Sequence, residues 1–281
     1  MNQNGQPELS CDTKRHVQLF RKLLPARVKL GEILRLLGPT EGQDCLTIVA
    51  SDILLCYHLH RREGNWQALV FGEEDAERFC SVLGKSVKTV SGDKVPYKDK
   101  TFDVVVVTDV MERSIDHEAL IAEWHRVLKP AGRIVITTPN IKAWTMLRPI
   151  QMVFGLTDER KGWVRSGYSE SQLFRVLKNG FDVHEVTSFS RFFLEFVNII
   201  GSAITSRRGL RIESPDNSMM RQYRILYPFY WIAYQLDFLL FFTRGYYLAA
   251  TAKRRSWLPR KTPVLSDGRS ISEAVLSKIK E

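Results

Sequence analysis

Short apolar runs alternate with helix-like segments along most of the chain. The runs predict strands at Cys45–Ala50, Ala68–Phe71, Val87–Val90, Phe102–Thr108, Arg133–Thr138, Val183–Ser188 and Tyr246–Ala252. Segments with apolar residues at helical spacing predict helices at Leu54–Arg62, Ala76–Leu83, His117–Leu128 and Glu170–Lys178. The run Val104–Val107 is apolar throughout, as in a parallel strand that is buried on both faces. The alternation therefore predicts an α/β fold with a doubly wound, mostly parallel seven-stranded sheet.

Two helical regions lie outside this alternation. Residues Val17–Leu37 carry apolar side chains at helical spacing, interrupted by Pro25, and predict a leading region that packs on the main fold. Roughly fifty residues separate the last two predicted strands, which is too many for a loop and predicts a helical insertion before the last strand. The predicted organisation is a helical region at 1–40, a sheet domain at 41–253 with its insertion at about 189–244, and a basic tail at 254–281.

The insertion has two apolar helical faces with arginines beside them. The first face comprises Phe189, Phe192, Phe193, Phe196, Val197, Ile200 and Ala203, and the second comprises Ile225, Leu226, Phe229, Ile232, Ala233, Leu236, Leu239 and Leu240. Such faces are typical of a hairpin at a lipid interface, but they also suit a lid that packs on the sheet. Asp237 lies inside the apolar stretch, where it would be costly in lipid, so we do not expect a membrane span.

The formal net charge of +10 raises the question of an anionic partner. Lysines and arginines are scattered at first and concentrate in the C-terminal third beside aromatic runs. This distribution favours an anionic membrane surface over nucleic acid, and we expect no nucleic-acid binding. A basic surface that only keeps the protein in solution explains the charge equally well.

Cysteine usage and the first residues bear on the compartment. The chain has four cysteines without paired spacing, which favours a reducing environment. The segment Met1–Ser10 is polar and lacks the apolar centre of a signal peptide. These features predict a cytoplasmic protein, free or at the inner face of a membrane. His58 and His60 have no Cys or acid that would complete a ligand set, so we expect no metal site.

The most informative motifs lie in one part of the chain. They are Val95–Tyr97, Thr101–Glu112 and Arg126–Asn140. A buried strand ends at Asp109, and a helix follows it. Lys129 suits the negative end of that helix, and Pro130 with Gly132 should stop the helix and reverse the chain. The next strand should then open towards a ligand at Thr137–Asn140.

The order of these motifs closely resembles that in class I S-adenosylmethionine-dependent methyltransferases of the ubiquinone-biosynthesis and sugar or lipid O-methyltransferase kind. Those enzymes carry Leu-Pro-Phe, Ser-Phe-Asp, Asp-Val-Leu-Glu-His, Arg-Val-Leu-Lys-Pro-Gly-Gly and Thr-Pro-Asn in the same order. The resemblance implies S-adenosylmethionine as cofactor. It also implies methyl transfer to an oxygen, carbon or nitrogen of a small-molecule or lipid-linked acceptor.

The resemblance also implies a cofactor-binding turn after the first strand. Ala50, Ser51 and Asp52 match the middle of the family variant Gly-Ala-Ser-Asp-Gly. Val49 and Ile53 replace the flanking glycines, so β-branched residues stand where the family backbone is bare or has unusual dihedral angles. We expect this replacement to weaken cofactor binding.

Three acidic residues complete the implied cofactor set. Glu74, after the second strand, is placed to bind the ribose hydroxyls, although a solvated helix start explains it equally well. Asp93 is placed to meet the adenine amino group, with Ser91 as the alternative. Asp109 lies at the end of its buried strand.

The family histidines are replaced at two places. Glu112-Arg113 stands for Glu-His, and Trp163-Val164-Arg165 stands for His-Val-Arg. Histidine is the usual base near neutral pH, so no catalytic residue is assigned. A catalytically inactive scaffold, associated with a membrane, is therefore the main rival interpretation. A dinucleotide-binding reductase is disfavoured because the first turn lacks the glycine fingerprint of that fold.

Overall fold

The computed structural model describes residues 11–50, 52–71, 73–83, 87–90, 94–158, 162–208 and 217–256. The strands are β1 (Asp44–Val49), β2 (Asn65–Phe71), β3 (Lys88–Val90), β4 (Phe102–Thr108), β5 (Leu128–Pro139), β6 (Phe181–Phe189) and β7 (Tyr247–Arg254). The helices are α1 (Cys11–Lys22), α2 (Leu24–Leu37), α3 (Ile53–His60), α4 (Glu73–Leu83), α5 (His117–Val127), α6 (Ile141–Trp144), α7 (Arg148–Val153), α8 (Glu170–Leu177), α9 (Phe192–Arg207) and α10 (Asn217–Leu239).

The strands form one seven-stranded sheet in the order β3-β2-β1-β4-β5-β7-β6. The pairs among β1 to β5 are parallel, and β7 pairs antiparallel with both β5 and β6. The insertion between β6 and β7 consists of α9 and α10. The predicted α/β fold class, with a mostly parallel sheet and a helical insertion before the last strand, is therefore confirmed.

The central strand β4 explains why the sheet is covered on both faces. Val105 and Val107 point into a cluster with α5 and α8, whereas Val104 and Val106 pack with α2 and α3. All four valines have no exposed surface. Successive side chains of a strand point to opposite faces, so a run of valines has to be buried by helices on both sides.

The N-terminal helices divide at Leu23 rather than at Pro25. Leu23 is the N-cap of α2, and Pro25 lies in the first turn of that helix, where no backbone N–H is needed for an intrahelical bond. At the other end of α2, the Arg133 guanidinium donates to the Leu37 carbonyl oxygen at 2.9 Å. This contact joins the end of α2 to β5, and Lys29 of the same helix lies near the carboxyl ends of the strands.

The junction between α5 and β5 differs from the prediction. The helix ends at Val127, and β5 starts at once and continues through Pro130. The Lys129 ammonium does not serve the helix end, because it lies 2.8 Å from the carboxylates of both Asp44 and Asp103. The turn of the backbone falls on Ala131, whose φ of 61° is in the left-handed region.

Replacing Ala131 with glycine should stabilise the protein. A left-handed φ is unfavourable for alanine and not for glycine, so Ala131→Gly should gain about 0.5–1 kcal/mol in the free energy of unfolding, after allowing for the more flexible unfolded chain. Ala122→Gly, at an exposed position inside α5, is the control and should lose about 1 kcal/mol. Urea denaturation measures both, and equal losses in the two variants would contradict the assignment of strain.

The α9–α10 hairpin is fixed by a buried carboxylate. Asp237 accepts hydrogen bonds from the backbone N–H groups of Phe193 at 2.8 Å and Leu194 at 3.1 Å. These N–H groups belong to the first turn of α9, and N–H groups there have no acceptor within the helix. Asp237 therefore ties the end of α10 to the start of α9. No helix in the described ranges is both long and apolar enough to cross a membrane.

Candidate functional site

A cavity of about 260 Å³ lies at the carboxyl ends of β1 and β4. Its walls come from the start of α2, the turn before α3, the end of β4, the β6–α9 connection and the first residue of β7. The lining residues are Leu23, Pro25, Ala26, Lys29, Asp52, Leu54, Asp109, Phe189, Ser190, Glu195, Asn198 and Tyr247. Ligands of open parallel sheets bind at this edge, where the strand order reverses between neighbouring strands.

Lys29 is the only cation among the described residues that line this cavity. Its side chain is buried, its ammonium contacts Asp109 Oδ2, and it lies 3.5 Å from Asp52 Oδ2. Burial alone would lower the pKa of Lys29, but the charges of Asp109 and Asp52 more than offset that effect and raise it. Lys29 is therefore charged at neutral pH and helps to hold both carboxylates in place.

The two aspartates are positioned by different local structures. Asp52 is the N-cap of α3, and its Oδ1 accepts from the backbone N–H of Leu55 at 3.2 Å. Asp109 follows β4 with φ of 54°, a left-handed conformation that aspartate tolerates better than most residues. Its Oδ1 is buried and has no hydrogen-bond partner among the described residues. The Asp109 carboxylate thus retains an unused acceptor.

Glu112 lies beneath the site without lining the cavity. It has no exposed surface, and its Oε2 accepts from the Thr138 hydroxyl at 3.4 Å. Burial, together with the nearby charge of Asp109, raises the pKa of Glu112 to about 8. Glu112 is therefore mostly protonated at neutral pH and adds little charge to the site.

The cavity wall carries an excess of negative charge. Asp52, Asp109 and Glu195 supply three carboxyl groups, and Lys29 supplies the single ammonium in the lining. Glu195 is buried, accepts from the Ser190 hydroxyl and accepts from the Asn198 amide at 3.1 Å. A ligand with a positively charged group complements such a wall.

Two of the six predicted cofactor residues line the cavity. Asp52 and Asp109 line the cavity, whereas Ala50 is buried in the core and does not. Ser51 and Asp93 lie outside the described residues, as does the alternative Ser91. Glu74 lies in the first turn of α4, and its side chain is not described. The roles of Ala50, Ser51, Glu74 and Asp93 remain predictions.

The bulky residues of the first turn do not enter the cavity. Val49 and Ile53 pack in a core cluster with residues of α1, α4 and α10, and neither lines the cavity. Neither has a positive φ. Their side chains therefore do not obstruct the cavity, and the expected weakening of cofactor binding stays a prediction.

Two features of the site were outside the sequence prediction. Lys29 was missed because it comes from α2, far from the motifs in sequence. The only signal was a lysine between Val28 and Leu30 in an apolar helix. The second feature is the contact between Glu112-Arg113 and Trp163-Val164-Arg165, the segments that replace the family histidines. The backbone N–H of Val164 donates to the Glu112 carbonyl oxygen at 2.8 Å, and neither segment lines the cavity.

Comparison with known proteins agrees with this architecture. Residues 72–136 match a methyltransferase domain family. A 59-residue segment is 37% identical to the demethylmenaquinone methyltransferase of Streptomyces griseus, and it covers 21% of this chain and 26% of that enzyme. The chain thus aligns with about a quarter of the length of this curated relative.

Solved structures show the same fold. An S-adenosylmethionine-dependent methyltransferase from Mesorhizobium loti superposes with a TM-score of 0.51 at 15% identity, covering 80% of this chain and 96% of that one. The geranyl diphosphate C-methyltransferase from Streptomyces coelicolor A3(2) gives 0.51 at 15% identity, covering 89% and 83%.

The strand order is that of the class I S-adenosylmethionine-dependent methyltransferase fold, and the matches add a partial similarity to a methyltransferase domain family and a distant similarity to the menaquinone methyltransferases. S-adenosylmethionine is the methyl donor of this class.

Stability should depend on pH through Glu112. Its folded pKa of about 8 lies above the ordinary value of 4.5, so between these values the folded protein holds a proton that the unfolded chain has released. The free energy of unfolding should therefore fall as pH rises through this window. Glu112→Gln, which cannot ionise, should flatten that part of the profile, as measured by urea midpoints across the window. Glu41→Gln, at an exposed position, is the control, and an equally flat profile in wild type and Glu112→Gln would refute the effect.

Proposed function

We propose that this protein transfers a methyl group from S-adenosylmethionine to a small-molecule or lipid-linked acceptor. The main support is the cavity at the carboxyl ends of β1 and β4, whose wall is predominantly acidic. S-adenosylmethionine carries a sulfonium and an α-ammonium against one carboxylate, so its charge complements that wall. The relatives named for demethylmenaquinone and for geranyl diphosphate support an acceptor of the lipid-linked kind.

The described residues fit the methionine half of such a donor. Asp52 and Asp109 would face its cationic groups. Asp109 Oδ1 is an acceptor to which no described group donates. Glu74 would hold the ribose hydroxyls, and Asp93 or Ser91 the adenine amino group. The bound donor supplies an electrophilic methyl group on a sulfonium.

The protein itself would act mainly by positioning. Leu23, Leu54 and Phe189 give the cavity apolar walls that exclude water from the reacting groups, and Asn198 and Tyr247 offer polar contacts. Methyl transfer from a sulfonium needs aligned partners at short distance more than a strong base. The loss of the family histidines at Arg113 and Trp163 is therefore compatible with activity.

A scaffold without activity is the second candidate. It is favoured by Lys29, whose ammonium already compensates the two aspartates that would meet the donor, and by the two replaced histidines. In this case the cavity would persist as a structural feature without a ligand.

We also propose a reducing compartment, the cytoplasm or the inner face of a membrane. Cys45 and Cys56 are free thiols in the core. Burial raises the pKa of the Cys45 thiol to about 12, so it stays protonated and unreactive at neutral pH.

Calorimetric titration with S-adenosylmethionine and its demethylated product separates the two functions. We expect saturable heat with both ligands and a rise in melting temperature that depends on ligand concentration. The absence of heat, combined with no thermal shift at millimolar ligand, would favour the scaffold.

The charge of the wall should set the preference between the two ligands. The donor differs from its product by one positive charge, so the ratio of their affinities reports the local potential. Lys29→Gln removes a positive charge and should shift this ratio towards the donor by roughly tenfold, whereas Asp109→Asn should shift it towards the product by a similar factor. Lys98→Gln, at an exposed position, should leave the ratio unchanged. Shifts of the same sign in both cavity variants would show that the ligand binds elsewhere.

A further inference from the structure

The outer side of α10 and the turn after it form a large apolar surface. We call this the α10 surface. Its large side chains are between 39% and 77% exposed and comprise Ile225, Phe229, Trp231, Ile232, Tyr234, Leu236, Phe238, Leu239, Phe241 and Phe242. From Pro228 onward, Gln235 is the one exposed polar residue before Thr243. Continuous apolar surface of this extent is uncommon on a protein that has no partner for it.

Within the described residues, α10 packs on the domain through its other side. The inner side of α10 is buried against α9, through residues that include Tyr223, Tyr230, Ala233 and Asp237. The hairpin therefore packs on the domain as a lid would, and it also leaves an apolar side outward. The helical part of this surface, from Ile225 to Leu239, forms a row of about 22 Å at the usual rise per residue.

The exposed charges on the described part of the α9–α10 hairpin are all of one sign. Within the described residues 189–208 and 217–246, the acidic residues are Glu195 and Asp237, and both are buried. The exposed ionic groups of the same segments are Arg207, Arg208, Arg221, Arg224 and Arg244. An apolar surface surrounded by arginines complements a layer that is apolar inside and anionic at its border.

We propose that the α10 surface docks on an anionic lipid bilayer, with α10 lying in the plane of the interface. The exposed side chains extend around most of the outer half of the helix, whereas a groove in a protein partner covers a narrow stripe. Trp231 and Tyr234 have an apolar ring with a polar group, the type of side chain that prefers the headgroup region.

A second cavity, of about 460 Å³, adjoins the α10 surface. Its lining includes Met146, Phe192, Leu240 and Tyr246, with the exposed cations Lys142 and Arg244 at its border. Apolar walls with two cations suit a lipid chain that carries an anionic headgroup. Delivery of an acceptor through this cavity would rest on the proposed methyl transfer, but docking on the bilayer does not.

Vesicle flotation of the full chain tests docking without reference to activity. We expect the protein to float with phosphatidylglycerol vesicles and to stay at the bottom with phosphatidylcholine vesicles, with binding that weakens as salt is raised. The triple variant Phe238→Ser, Phe241→Ser and Phe242→Ser should reduce the partition coefficient by roughly a hundredfold or more. These residues are exposed, so folding should be preserved. The matched control is Ile115→Ser with Phe174→Ser, exposed apolar residues outside the hairpin.

The charge requirement has its own variant. Arg221→Gln, Arg224→Gln and Arg244→Gln together should lower binding to phosphatidylglycerol by at least roughly tenfold. The control is Arg62→Gln, Lys98→Gln and Arg175→Gln, which removes the same charge from other exposed positions and should have a much smaller effect. Equal loss in both triple variants would overturn a local docking surface.

The position of α10 can be read from Trp231. Its fluorescence should shift to shorter wavelength on vesicle binding, and Trp231→Phe should remove that shift while the protein still floats. Failure of the wild type to float with phosphatidylglycerol vesicles would overturn the proposal. So would a stable dimer that the Phe→Ser triple variant dissociates in the absence of any vesicle binding, because a second copy would then cover the surface.

Discussion

The contact of the Lys29 ammonium with the carboxylates of Asp109 and Asp52 is the interaction on which the site depends. A buried charge without a partner costs several kcal/mol, so the burial of the Lys29 ammonium depends on the two carboxylates, whose side chains are 24% and 23% exposed. The contact joins α2 to the ends of β1 and β4. For this reason α2 is part of the site wall, although it precedes the sheet in sequence.

The unusual backbone and the protonation of a neighbouring group belong to the same region. Asp109, whose carboxylate contacts Lys29, has a left-handed φ of 54°. Glu112, three residues further on, has a raised pKa because it is buried and because the charge of Asp109 is near, while the charge of Lys29 opposes part of that rise. The cavity therefore has a fixed set of charges with an acidic excess. These charges complement the cationic donor of the proposed function.

In the helical insertion, too, the acidic side chains are used in the interior, and this leaves the exposed side without negative charge in the described residues. Its two acidic residues face inward, where Asp237 satisfies the first turn of α9 and Glu195 meets Ser190 and Asn198. Because these carboxylates serve the interior, only arginines remain as exposed charges on the described part of the hairpin. One side of the hairpin thus completes the cavity wall, and the other side is apolar with a basic border.

The sequence by itself determined the sheet, because strands such as Val104–Val107 reveal burial on both faces through local pattern alone. It also indicated the insertion and the position of Asp52 and Asp109 at the strand ends, since these depend on neighbouring residues or on an ordered set of motifs. Tertiary structure alone decided the partner of those aspartates, because Lys29 is 80 residues from Asp109 and no local pattern links them. It also decided that Val49 and Ile53 turn into the core, that Lys129 binds Asp44 and Asp103 instead of a helix end, and which side of α10 is exposed. Each of these outcomes depends on which elements meet across the sheet, and that is a property of packing and not of any short stretch of chain.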